Sequence, residues 1–163
     1  PEEIANGFNN FFINIGPNLA KLIPSTSSNH RQYMGNKSYP SLFLTPVTEA
    51  EVVIIISSLK ESSPGWDNIS PKVVKFTKQE LASPITHLIN LSFQSGVVPR
   101  EIKLAKVIPI FKAGETNQFT NHRPISVLNV LSKIYERLFY NRLISFINHN
   151  DIFYKYQFGF RES

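Results

Sequence analysis

The sequence has 163 residues, 42% of them hydrophobic, and a formal net charge of +5, so it can support one buried core or part of a larger domain. With no cysteine, a disulfide framework and thiolate metal sites are excluded, and a reducing compartment fits. The longest aliphatic run, Val52–Ile56, is far below the ~20 residues of a membrane helix. Before Lys60, three basic residues (Lys21, Arg31, Lys37) are outnumbered by Glu2, Glu3, Glu49 and Glu51. The positive charge therefore lies in the C-terminal portion, which points to polyanionic partners such as nucleic acid. The chain begins at Pro1 rather than Met and is expected to be incomplete.

In chain order, Phe8, Phe11, Phe12 and Ile15 form one helical stripe within Glu2–Asn18, interrupted by Gly16-Pro17. Such a stripe is a core or partner-docking face. The polar, serine-rich Pro24–Ser38 reads as a flexible linker and Tyr39–Pro46 as an extended segment. Thr48 and Glu51 form a capping box opening a helix to about Lys60. Its β-branched interior is a poor helix former that burial must hold.

Pro64-Gly65 suits a type II turn, and Ser70 is an N-cap with Pro71 at the first helical position. Asp67 is either a turn former or a ligand contact, and Trp66 either packs in the core or stacks on a base. Lys72, Lys75 and Lys78 make a loosely basic edge, solvated or phosphate-tracking. Leu81–Ser95 is a second helix, with Ile85, Leu88, Ile89 and Phe93 inward and Gly96 as terminator. A short turn follows at Arg100–Lys103. Val127–Asn148 is the clearest helix, apolar at Leu131, Ile134, Tyr135, Leu138, Leu143, Phe146 and Ile147. Gly159 bends the terminal Gln157–Arg161 cluster.

Between the last two helices lies Lys106–Ser126, with two apolar runs, Val107–Phe111 and Pro124–Val127, joined by a polar connection. Pro109 and Pro124 each remove a ladder donor, which fits an exposed two-stranded ribbon rather than interior strands. Poor alternation in Val107–Phe111 leaves open which face is buried. Pairing of the runs brings Lys112 and Arg123 to one end. A planar fork and a point charge there suit a phosphate, the bland alternative being a solvated hairpin. The four histidines lack metal-ligand spacing, and no nucleotide-binding or hydrolase signature occurs.

Four blocks occur in one order: SSPGWDNIS (Ser62–Ser70), GVVPREIKLAKVIPIFKAGE (Gly96–Glu115), NHRPISVLNVLSKIYERLFYNRL (Asn121–Leu143) and QFGFRES (Gln157–Ser163). Together they resemble the amino-terminal half of reverse transcriptases of LINE-type, non-LTR retrotransposons. Residues 1–59 resemble the segment preceding the polymerase domain in those polyproteins, and residues 60–163 a partial reverse transcriptase domain. The resemblance implies an α+β fold, mostly helical with a small antiparallel ribbon, as the fingers of a right-handed polymerase.

It implies that Lys112 and Arg123 bind the triphosphate of an incoming dNTP, and that Asp67, Lys72, Lys75, Gln157 and Arg161 contact nucleic acid. The implied partners are an RNA template, a DNA primer and the palm and thumb of the polymerase, in the nucleus or a cytoplasmic ribonucleoprotein. Trp66 and Asn68 stand where the family often has Pro and Gly, His122 where Tyr or Phe is usual, and Glu115 where Asp is usual. The family's Mg²⁺-binding aspartates lie downstream of QFGFR. This stretch is therefore expected to carry no catalytic carboxylates and no cofactor, and not to polymerise alone. A non-catalytic nucleic-acid-binding remnant and a helical interaction module using the Phe8–Ile15 stripe are the alternative readings.

Overall fold

A computed structural model describes residues 1–25, 29, 32 and 39–159. The expected linker falls largely outside these residues, as does Arg161. Among the described residues the fold is α+β, rich in helix, with one two-stranded antiparallel sheet. The chain forms two compact units, each discontinuous in sequence.

The first unit comprises residues 1–38 and 105–127. Helix α1 spans Glu2–Ala20, with Glu2 and Glu3 in its first turn complementing the helix dipole. It runs through Gly16-Pro17 rather than breaking there. Pro17 stands one turn from the end, where its missing N–H forfeits a single intrahelical bond, and Lys21 N–H still reaches the Pro17 carbonyl at 3.2 Å. Strands β1 (Ala105–Phe111) and β2 (His122–Leu128) complete this part of the fold as a ribbon.

The second unit comprises residues 39–104 and 128–163. Its helices are α2 (Glu49–Ser58), α3 (Pro71–Phe76), α4 (Lys78–Ser95) and α5 (Val130–His149). Val52, Ile55 and Ile56 of α2, Val74 of α3, Ile85 and Ile89 of α4, and Val130, Ile134 and Leu138 of α5 share one core with Val47. Burial of this kind overrides the poor propensity of α2. The capping box is present: Thr48 Oγ1 accepts from Glu51 N–H at 3.2 Å, and Glu51 Oε2 accepts from Thr48 N–H at 2.9 Å. Ser70 caps α3 ahead of Pro71, and Gly96 ends α4 in the left-handed region at φ 69°.

Several sequence expectations are corrected. Pro64-Gly65 makes no type II turn, because Gly65 does not adopt the positive φ that turn requires. The turn lies at Gly65–Asn68, closed by Asn68 N–H on the Gly65 carbonyl at 3.3 Å, and the left-handed residue is Asn68 at φ 59°. Gly65 is needed for close approach instead: a Cβ there would sit 2.7 Å from the Asn129 backbone. Lys78 does not continue a basic edge with Lys72 and Lys75; it starts α4, and its ammonium donates to Ser57 Oγ at 2.9 Å. Leu88 is 51% exposed, and the inward positions it was expected to share go to Ala82 and Ser92. Helix α5 begins three residues later than its pattern implied, because Val127 and Leu128 finish β2 and Asn129 caps the helix through Ser132 N–H at 2.7 Å.

One clasp was not legible in the sequence. Arg142 of α5, with its side chain 10% exposed, donates to the Thr45 carbonyl at 2.8 Å, the Pro46 carbonyl at 2.9 Å and both Glu51 oxygens at 3.2 Å. Its guanidinium also lies 5.7 Å from the centre of the Phe93 ring. Burial alone would raise the Glu51 pKa. The Thr48 N–H, Arg142 and the Thr48 hydroxyl outweigh it and hold the carboxyl below its ordinary value.

Candidate nucleic-acid interface

The ribbon is built by local pairing. Lys112 N–H donates to the Asn121 carbonyl at 2.8 Å, just beyond the ends of β1 and β2. The two strands match in length, so the same register sets His122 against Phe111 and Leu128 against Ala105. It therefore sets Arg123 against Ile110 and Pro124 against Pro109. Counting from the Lys112–Asn121 bond, the proline pair falls at a non-hydrogen-bonded position, where backbone nitrogens point away from the partner strand. Both prolines are thereby accommodated without losing a ladder bond.

Alternation along the paired strands then divides the ribbon into two faces. Val107, Pro109, Phe111 and His122 share one. This face turns toward α1: Val107 and Pro109 line a cleft with Ile4, Phe8 and Phe12, and the Phe8 ring meets His122 at 4.8 Å edge-on. Phe111 and His122 meet at 5.6 Å, as directly opposed residues should. The other face carries Lys106, Ile108, Ile110 and Lys112 from one side and Arg123, Ile125 and Val127 from the other. The three cations on it are exposed, and none has an ion-pair partner among the described residues.

Lys112 and Arg123 are diagonal neighbours on this face, a spacing of about 7–8 Å that long side chains bridge readily. The connecting loop is held by its own polar groups. Asn121 Nδ2 donates to the Glu115 carbonyl at 3.0 Å, and His122 Nδ1 lies 3.0 Å from the Gln118 carbonyl. Gly114 takes φ 89°, and a Cβ there would lie 2.6 Å from Asn121 Nδ2. Two cations on a tip fixed in this way can hold a polyphosphate, Arg123 by a planar fork and Lys112 by a point charge.

The remaining sequence-derived candidates lie in the second unit or outside the described residues. Asp67 is half-buried, and its Oδ1 accepts from Ile69 N–H at 3.1 Å, so it closes the turn that carries it. Trp66 is 44% exposed, and its indole N–H donates to the Glu101 carbonyl at 3.3 Å. Lys72 is exposed on α3 and Lys75 half-buried in its last turn. Gln157 Nε2 donates to the Gly159 carbonyl at 2.8 Å. Among the described residues, no hydrogen bond or ion pair joins any of these to another.

Lys106 escaped the sequence reading, although its even spacing from Lys112 was the available signal. No cluster of three or more His, Asp or Glu residues among the described residues could hold a metal ion.

No family model matches the chain. Sequence relatives decide the matter. A probable RNA-directed DNA polymerase from transposon BS of Drosophila melanogaster is 33% identical over 124 residues, 75% of this chain. The RNA-directed DNA polymerase from mobile element jockey of the same species is 32% identical over 132 residues, 80% of the chain. The chain is a relative of the RNA-directed DNA polymerases of non-LTR retrotransposons. A probable RNA-directed DNA polymerase from the X-element, 31% identical over 120 residues, is a further member of this set. The chain spans only about 14% of the length of the BS and jockey polymerases. Among the described residues no helix is long and apolar enough to cross a membrane.

Proposed function

We propose that the chain is a fingers segment of a reverse transcriptase, and that the tip of its ribbon grips the triphosphate of the incoming nucleotide. The observation that carries this reading is the strand register. It sets Lys112 and Arg123 diagonally on one open face, both exposed and without an acidic partner among the described residues.

Nucleotide transfer builds negative charge around the phosphoryl group, and fixed cations offset it without reorganising during the reaction. Arg123 supplies paired N–H donors to non-bridging oxygens, and Lys112 adds a second charge from the neighbouring strand. An RNA template, a DNA primer, dNTP and the remaining polymerase are the partners of this segment. Mg²⁺ would serve the complete polymerase by activating the primer hydroxyl and holding pyrophosphate. The described residues of this chain do not offer a metal site, so no metal-dependent step is assigned to them.

The test is an NMR titration of the ¹⁵N-labelled chain with tripolyphosphate. Shifts should centre on the amides of Lys112, Arg123 and their strand neighbours, and Arg123→Ala should abolish them. Shifts spread evenly over all lysines and arginines, unaltered by that substitution, would refute the reading.

A further inference from the structure

Helix α1 lies behind the ribbon, on the face opposite the cations, and its contacts there are specific. Phe119 begins the short 3-10 turn Phe119–Asn121 at the end of the loop. Its ring sits over Gly7 so closely that a Cβ at Gly7 would fall 2.7 Å from Phe119 Cζ. The same ring meets Phe8 edge-on at 4.8 Å and stacks on Phe11 at 6.0 Å. A methyl at Gly7 would force the Cζ end of the Phe119 ring to shift from this seat.

This seat is coupled to both cations by short covalent or hydrogen-bonded paths. Asn121, in the 3-10 turn that Phe119 begins, accepts the Lys112 N–H at 2.8 Å. His122, adjacent to Arg123 in sequence, is packed between Phe8 at 4.8 Å and Phe111 at 5.6 Å. Withdrawing Phe119 from Gly7 loosens the turn that sets where Lys112 pairs. It also uncovers Phe8, the ring that steadies the residue before Arg123.

We infer that Phe119 seated over Gly7 is a positioning contact that holds Lys112 and Arg123 in the mutual geometry a polyphosphate needs. Neither residue touches the anion; both act through the ribbon. The inference rests on the triphosphate reading of the tip and adds a role for α1, which lies far from it in sequence. Phe8 and Phe11 of the α1 stripe thereby brace the ribbon within the unit.

The experiment is a double-mutant cycle on the chain, with tripolyphosphate affinity read by NMR at the ribbon tip. Gly7→Ala places a methyl where the ring sits while improving the helix propensity of α1, so lost affinity cannot come from a weakened helix. It should weaken tripolyphosphate binding roughly five-fold or more, as small misplacements of binding groups do, and Phe119→Ala should do the same. The double variant should bind no worse than Phe119→Ala, because the ring that the added methyl would displace is then gone. In the unaltered chain a Gly7 Hα resonance should respond to the ring current of Phe119, and that contribution should vanish in Phe119→Ala.

Independent, additive losses, or a Gly7→Ala variant with unchanged affinity, would overturn the inference. Loss with Arg123→Ala but not with Gly7→Ala refutes the brace alone. No binding by the unaltered chain refutes both the brace and the triphosphate reading.

Discussion

Arg142→Ala should be among the most damaging single substitutions in the second unit, and its cost can be bounded from the geometry. The guanidinium donates to the Thr45 and Pro46 carbonyls at 2.8 and 2.9 Å, to the Leu138 carbonyl of its own helix at 3.3 Å and to Glu51 at 3.2 Å. Each hydrogen bond from a charged donor contributes about 1.5–3 kcal/mol. The contributions do not add, since the carbonyls of Thr45 and Pro46 belong to exposed residues and rehydrate when the donor leaves. Glu51 is 39% exposed on its side chain, so the ion pair itself is screened and adds little. A net loss of about 2–3 kcal/mol follows.

The assay is urea unfolding followed by fluorescence of Trp66, the only tryptophan, which lies in the same unit. The pH dependence has a definite sign. The Glu51 pKa is depressed in the folded state, so its contribution is present above the unfolded glutamate pKa and is lost as pH falls through the lower folded value. Glu51→Gln should remove that part of the acid limb. A loss below about 1 kcal/mol for Arg142→Ala, the range of an ordinary surface pair, would refute the clasp.

Three further substitutions, at two positions, test the turn before α3, all read with Trp66. Gly65→Ala brings a Cβ to 2.7 Å from the Asn129 backbone and should cost about 1–3 kcal/mol, as overpacking does; an unchanged unfolding midpoint would contradict the close approach. At Asn68, with φ 59°, Gly should be tolerated while Val should cost about 1–2 kcal/mol, the penalty of a side chain in the left-handed region. Equal stability of the two variants would place the strain elsewhere.

Local chemistry made much of this fold legible. The capping box at Thr48 and Glu51, the Ser70–Pro71 start of α3 and the Gly96 stop of α4 are short-range signals whose geometry depends on a few neighbouring residues. The paired prolines marked a ribbon because a missing N–H can be accommodated only where no ladder bond is due. The failures came where distant residues decide. Gly65 was read as a turn residue because the sequence does not reveal that Asn129 packs against it. Arg142 gave no local sign of its bond to Glu51, ninety-one positions away. Leu88 fits a helical stripe, yet the available core area is taken by Ile85 and Ile89. For the candidate site, both Lys112 and Arg123 were legible from charge at the ends of the apolar runs. Their common face and the accompanying Lys106 needed the register, and the Phe119–Gly7 contact needed the fold.

The central claim is most directly tested by steady-state kinetics in a polymerase carrying this segment, comparing Arg123→Ala with the unaltered enzyme. Loss of a charge-assisted contact of about 1.5–3 kcal/mol corresponds to roughly a ten- to hundred-fold fall in kcat/KM for dNTP. The Kd for template–primer should be little changed. Lys112→Ala should act in the same direction and less strongly, because an ammonium lacks the bidentate fork. A weakened template–primer Kd with unaltered dNTP kinetics would contradict the claim and make the ribbon a nucleic-acid contact instead.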